Sequence, residues 1–230
     1  MLPPEAGLEA GQAALFEDQR IIWAERLLGG FGGYKVLELG PLEGGHTYML
    51  EKRGAESILA IEANTRAFLK CLVVKEVLRL TRSRFLLGDF VAYLRDNEER
   101  YDLCLASGVL YHMQNPVELI HLISKTSDRI LLWTHYYERE FIASNPSLSK
   151  KFPESVRSQY RGFTHTLQKY TYQDALNWTG FCGGSAPYSF WMTKAELLEC
   201  LRYFGFHNLR IEFDTLDHPN GPAFCVLGTK

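Results

Sequence analysis

Apolar positions change their period several times along this chain. Between residues 12 and 28 they recur at helical spacing, with Ala14, Leu15, Ile21, Ile22 and Leu28 in phase. Gly29, Gly30, Gly32 and Gly33 close that helix. From residue 34 short apolar runs alternate with amphipathic stretches. The runs at 34–39, 57–61, 85–87, 101–106 and 129–133 predict strands. The stretches at 47–53, 65–80, 91–96 and 117–123 predict helices. Strands alternating with helices predict a parallel, doubly wound α/β sheet.

Residues 135–190 break the rhythm. They are dense in aromatics and turn residues, and a structureless loop of that length is uncommon in a compact domain. Local helices over the sheet edge are expected there. The rhythm resumes with a helix at 194–204 closed by Gly205, a strand at 206–213, and a last strand at 223–227. Between those strands lies only the turn His218-Pro219-Asn220-Gly221-Pro222. Parallel neighbours need a crossover, so this pair is expected to be antiparallel. The expected architecture is one Rossmann-like domain over 1–230 with a seven-stranded sheet. Residues 1–33 form a helical cap at its N-terminus, and 135–190 an inserted substrate lid.

Composition narrows the class. The 230 residues, 46% of them hydrophobic, are enough for one globular core. Formal net charge is −2 and the sequence pI near 6.4, so no global field draws in nucleic acid or an acidic membrane. Five widely spaced cysteines without a C-x-x-C pair argue against a disulfide framework or a zinc site, and for a reducing compartment. The opening MLPPEAGLEAG has no basic region followed by a long apolar run, and no apolar stretch is long enough to span a bilayer. The expectation is a soluble, cytoplasmic protein.

The candidate chemistry collects at strand ends. VLELGPLEGGHT, residues 36–47, reads strand, glycine loop, helix. Gly40, Gly44 and Gly45 allow close backbone approach to a ligand, and the following helix start offers unpaired N–H groups. Glu38 sits at the end of the first strand. Glu62, about twenty residues further on, ends the second, where an acid suits ribose hydroxyls. Asp89 and Phe90 follow the third, a carboxylate and a ring suited to adenine. Ser107 and Gly108 follow the fourth, leading to Tyr111 and His112. A dinucleotide would favour G-x-G-x-x-G and a further parallel strand. The spacing here is G-x-x-x-G-G and the chain ends in an apparent hairpin, which favours S-adenosylmethionine over NAD(P).

With these motifs in place the sequence resembles the class I S-adenosylmethionine-dependent methyltransferases. Glu38 to Gly45 match the family's first motif, Glu62 its second, Asp89 its third and Tyr101 to His112 its fourth. GVLYHMQNP at 108–116 and the later FWMTKAELLECLRYFGF resemble the wobble-uridine carboxymethyltransferases of tRNA and their small relatives. The chain is much shorter than those enzymes and is not strongly basic. The resemblance implies S-adenosylmethionine as donor, S-adenosylhomocysteine as product, and a small-molecule acceptor. The alternative is a tRNA wobble-uridine modifying enzyme; a non-catalytic cofactor-binding subunit and a dehydrogenase are further rivals.

Methyl transfer is a displacement at carbon, in which positioning does much of the work and a base is needed only where the acceptor loses a proton. The candidate catalytic residues are Tyr111, His112 and His135, each weighed against simple packing. Tyr136, Tyr137, Phe181 and Tyr188 are the candidate acceptor-binding residues in the insertion, where core packing is the competing reading for any single aromatic. Phe181-Cys182-Gly183-Gly184-Ser185 is the most site-like loop, although Cys182 has no adjacent base. His165 reads as a satisfied loop residue, and Lys75, Arg79, Arg82 and Arg84 as a solvated face. No metal is expected. The acceptor atom and the oligomeric state are not legible in the sequence.

Overall fold

The computed structural model describes residue 7 and residues 14–178, 180–181 and 186–230. The chain falls into two compact units, Met1–Leu105 and Ala106–Lys230.

In the first unit, residues 14–18 form a turn that leads into α1 (Gln19–Leu28). The helix was expected from residue 12; it starts at Gln19 because the Asp18 carboxylate accepts from the Arg20 N–H and caps it. Gly29, left-handed at φ 74°, ends it. β1 (Lys35–Leu39) buries Val36, Leu37, Glu38 and Leu39 in succession, as a strand covered on both faces does. α2 (Gly45–Lys52), β2 (Ser57–Glu62), α3 (Thr65–Val77), β3 (Ser83–Leu87) and α4 (Phe90–Asp96) follow. β1 pairs parallel with β2 on one side, Leu39 opposite Ile61, and with β4 (Leu103–Ser107) on the other, Val36 opposite Leu103. This register brings the carboxyl ends of β1 and β2 side by side, and with them the glycine loop and Glu62.

In the second unit, β4 runs into a 3-10 turn at Leu110–His112, then α5 (Pro116–Thr126), capped by Asn115, and β5 (Arg129–His135). The short helices α6 (Arg139–Ser144) and α7 (Pro146–Ser149) come next, then β6 (Glu154–Tyr160), β7 (Phe163–Thr171) and β8 (Tyr188–Trp191). α8 (Lys194–Tyr203), β9 (Asn208–Thr215) and β10 (Ala223–Thr229) complete the chain. A capping box between Thr193 and Glu196 starts α8. β10 is antiparallel to both β5 and β9, as the missing crossover requires. The main sheet has seven strands in the order β3-β2-β1-β4-β5-β10-β9.

The expectation of helices over 135–190 needs correction. Among the described residues that segment holds, besides α6, α7 and a 3-10 turn at Gln173–Asn177, a three-stranded antiparallel sheet ordered β6-β7-β8. Phe163, His165 and Leu167 alternate inward along β7, the two-residue period of a half-buried strand. β6 and β7 are joined by Arg161 and Gly162, both at positive φ (47° and 88°), between the paired Tyr160 and Phe163. Two successive left-handed residues make the turn whose twist matches that of the strands it joins.

Candidate active site

The first unit gathers Glu38, Gly40, Gly44, Gly45 and Glu62 at the glycine loop, where the Gly40 N–H donates to the Ile61 carbonyl at 2.9 Å. Gly44 is left-handed at φ 77° and starts α2 without a side-chain cap. A Cβ on Gly45 would stand 2.3 Å from the Leu15 carbonyl oxygen, so residues 14–18 cross the start of α2 at a distance only glycine permits. Leu42 has φ 56°, a strained value for a side chain with a Cβ. Its N–H donates to Glu62 Oε2 at 3.0 Å, and the Asn64 N–H donates to Glu62 Oε1 at 2.8 Å. The Glu62 carboxylate thus ties the glycine loop to the end of β2. Burial pushes its carboxyl up, against the pull of these amides.

Glu38 is 1% exposed. Thr47 Oγ1 donates to its Oε2 at 2.5 Å, whereas its Oε1 is buried and makes no hydrogen bond among the described residues. Burial raises this carboxyl too; His46 and Thr47 lower it, and nearby Glu62 raises it further. His46 bridges two carboxylates: Nδ1 lies 3.9 Å from Glu38 Oε1, and Nε2 2.8 Å from Asp18 Oδ2. Burial alone would raise the Asp18 carboxyl, but hydrogen bonds from His46 and Arg20 outweigh it and hold the group well below the usual carboxylate range. Sequence reading missed Asp18, His46 and Thr47. Their only signal was their place at a helix start and beside the glycines.

Asp89 follows Gly88, whose N–H donates to the Glu62 carbonyl at 2.9 Å, so it stands beside the end of β2. It is exposed and caps α4, with Oδ1 accepting from the Val91 N–H at 2.8 Å. Phe90 is buried as the first residue of that helix.

The second unit gathers the three candidate catalytic residues. Ser107 ends β4, and the Gly108 N–H donates to the Trp133 carbonyl at 2.9 Å, which turns the chain toward Tyr111. The Tyr111 ring lies 4.2 Å from that of His112 and 4.6 Å from that of His135. His112 Nδ1 is 2.7 Å from the Tyr172 hydroxyl. His135 is buried, and its Nδ1 lies 2.9 Å from the Gly221 carbonyl oxygen and 3.2 Å from that of Pro222. Carbonyls only accept, so Nδ1 carries the proton and Nε2 the basic lone pair. Trp191 stacks on His135 at 5.1 Å, with an interplanar angle of 6°. Burial lowers both imidazoles to about 4: for His112 it is aided by His135, and for His135 by His218 against the two carbonyls. Both are neutral at pH 7.

The acceptor-binding candidates scatter. Tyr136 follows His135 on an extended chain, so the two point to opposite sides. Its hydroxyl donates to Asp214 at 3.3 Å, and burial with that carboxylate pushes the phenol up to about 12. It lines an open cleft of about 600 Å3 with Lys194 and Phe141, away from His135. Tyr137 packs edge-on against Phe152, which in turn meets Trp191. Phe181 packs on Tyr172, the partner of His112. Tyr188 meets Phe190 and the Lys169 ammonium. Cys182, Gly183, Gly184 and Ser185 lie outside the described residues. His165 is on strand β7, not in a loop, and is buried there. Trp133, Tyr172, Trp191 and His218 complete the cluster; in the sequence they stood in a strand, the aromatic insertion, the FWMTKAELLECLRYFGF motif and a turn, with no site role of their own.

No protein-family model and no curated protein sequence matches the chain. Solved structures do. The N-terminal domain of EvdMO1, crystallised in the presence of SAH and D-fucose, has a TM-score of 0.69 at 21% identity, over 93% of this chain and 83% of that one. An S-adenosylmethionine-dependent methyltransferase from Mesorhizobium loti has a TM-score of 0.63 at 13% identity, over 94% and 100%. The 1,6-didemethyltoxoflavin-N1-methyltransferase of Burkholderia thailandensis, with 1,6-didemethyltoxoflavin and S-adenosylhomocysteine bound, has a TM-score of 0.62 at 16% identity, over 94% and 78%. The chain therefore has the fold of the S-adenosylmethionine-dependent methyltransferases.

Proposed function

We propose that this protein transfers a methyl group from S-adenosylmethionine to a small-molecule acceptor. The observation that carries the proposal is the joint held by Glu62, whose buried carboxylate binds the Leu42 amide of the glycine loop and the Asn64 amide beyond β2. A carboxylate kept at the end of the second strand, beside glycines that bring backbone close, suits a ribose diol. Glu38 Oε1, which makes no hydrogen bond among the described residues, supplies a second buried acceptor. These residues fit the cofactor: Glu62 would hold the ribose, and Glu38 and the Gly40–Gly45 loop the amino-acid end. When bound, S-adenosylmethionine supplies a methyl group on a sulfonium, ready for in-line displacement.

In this reading His135 is the general base. Its Nδ1–H is pinned by two carbonyls, which leaves Nε2 as the lone pair that takes a proton from an acceptor hydroxyl or N–H. Tyr111 and Trp191 hold its ring, and His112, packed on Tyr111, extends the aromatic wall. Tyr137 and Phe181 border that wall at second hand. Residues 14–18 would act as the N-terminal cap, latched by Asp18 to His46 and by Phe16 against Tyr48. The three-stranded sheet would act as the substrate lid. No helix among the described residues is long and apolar enough to cross a membrane, and the proposed setting is the cytoplasm.

Calorimetry with S-adenosylhomocysteine tests the cofactor assignment directly. Saturable binding that weakens in Glu62→Gln supports it, and the absence of binding to the wild-type chain removes it. The tRNA alternative rests on resemblance alone; a salt-dependent shift of tRNA on a gel would revive it.

A further inference from the structure

A second, smaller cavity of about 120 Å3 lies in the Ala106–Lys230 unit, under the turn that follows β9. That volume would hold about four waters, or one small oxyanion. Among its lining residues are one ammonium, that of Lys151, and no carboxylate. Lys151 has no carboxylate partner elsewhere among the described residues. Its Nζ donates to the Tyr170 hydroxyl at 3.2 Å and lies 5.5 Å from the centre of that ring. Its backbone is held: the carbonyl accepts from the Thr171 N–H at 2.8 Å, and its own N–H donates to Leu148. The side chain therefore starts from a determined point.

Two further polar walls, Tyr170 and Asn145, have an acceptor engaged and a donor to give. Tyr170 Oη accepts from Lys151, so its own proton remains to be given. Asn145 Oδ1 accepts from the Leu148 N–H and from Ser147 Oγ, which leaves the amide NH2 as a donor. His218 Nδ1 accepts from the Asn220 N–H, which places the ring proton on Nε2. A cavity that combines the Lys151 ammonium with the Tyr170 O–H and the Asn145 amide N–H groups is complementary to a charged oxygen ligand, through charge-assisted hydrogen bonds. We propose that this cavity is a binding site for a small oxyanion, a carboxylate or a phosphoryl group, held by Lys151 with Tyr170 and Asn145.

Its walls continue into the histidine cluster. Tyr170 stacks on Trp191 at 4.8 Å, and Trp191 on His135. His218, which lines the cavity, lies 5.0 Å from the His135 ring. Gly221 lines it too, and gives its carbonyl to His135 Nδ1. An anion seated there would act on the same rings that position His135. The anion site stands whether or not the chain transfers methyl groups.

The test is calorimetric titration of the full chain with acetate, inorganic phosphate and 4-hydroxybenzoate. Saturable binding of at least one is expected, weakened about tenfold or more in Lys151→Gln. Lys151→Arg, which keeps the charge, is expected to keep most of the affinity. The melting temperature should be unchanged in both variants. Binding by acetate and 4-hydroxybenzoate would assign the site to an organic acid, and binding by phosphate alone to a phosphoryl group. Saturation by none of the three, or equal affinity in Lys151→Gln, would overturn the proposal.

Discussion

Glu62 and Asp89 are both carboxylates at strand ends, yet their surroundings separate them. Glu62 is buried and bridges two backbone amides from different segments. Charged hydrogen bonds of this kind are worth about 1.5–3 kcal/mol each, so Glu62→Gln should weaken S-adenosylhomocysteine binding by about tenfold or more in calorimetry. Asp89 spends an oxygen on the α4 cap. Asp89→Ala should cost about 1 kcal/mol of stability, read as a lower urea midpoint. His135→Asn should cut kcat by roughly 100-fold or more and leave S-adenosylhomocysteine affinity unchanged, the signature of a lost base. An equal loss in both would make His135 a packing residue. At Leu42, φ 56° costs a leucine about 1 kcal/mol that glycine avoids. Leu42→Gly should hold or raise the unfolding midpoint, because the bond to Glu62 comes from the backbone.

At the scale of elements, caps and turns set the boundaries that periodicity leaves open. The apolar spacing before Gln19 continues a helical phase, but the Asp18 side chain competes with helical hydrogen bonding and starts the helix there. The β6–β7 hairpin depends on its two-residue turn in the same way. A Cβ on Gly162 would come 2.7 Å from the Tyr203 hydroxyl, which donates to the Arg161 carbonyl at 2.9 Å. Gly162→Ala should therefore lose both the permitted φ and that tether, about 1–2 kcal/mol in a denaturant titration. The hairpin was hard to see beforehand because β6 (Glu154–Tyr160) is mostly polar, and its pairing with β7 supplies the hydrogen bonds that its composition does not announce.

For the whole molecule, the buried imidazoles set a pH response. His112 and His135 have folded values of about 4 against an ordinary 6.5. Between those limits the unfolded chain binds more protons than the folded one. Their contribution to stability is complete above pH 6.5 and is lost as pH falls toward 4, by up to about 1.4 kcal/mol per pH unit for each ring. Glu38 and Glu62 are raised and act in the opposite sense, so the comparison has to be made between variants. Urea midpoints at pH about 7, 5.5 and 4.5 should fall less steeply in His135→Asn than in wild type. An identical slope would show that the His135 ring titrates normally in the fold.

The sequence by itself determined the alternation of strands and helices, the antiparallel end of the chain, and the place of the glycine loop and Glu62. Each follows from short-range causes: the two periods of apolar residues, the need for a crossover between parallel strands, and the room that glycine leaves. Only the tertiary structure decided what the remaining polar groups do. Asp18 reaches His46, His135 gives its proton to Gly221 and Pro222, and Lys151 stands against Tyr170, because pairing and turns bring together residues that lie 28, 86, 87 and 19 positions apart. Contacts at such separations depend on strand register and side-chain direction, and no local pattern along the chain encodes either.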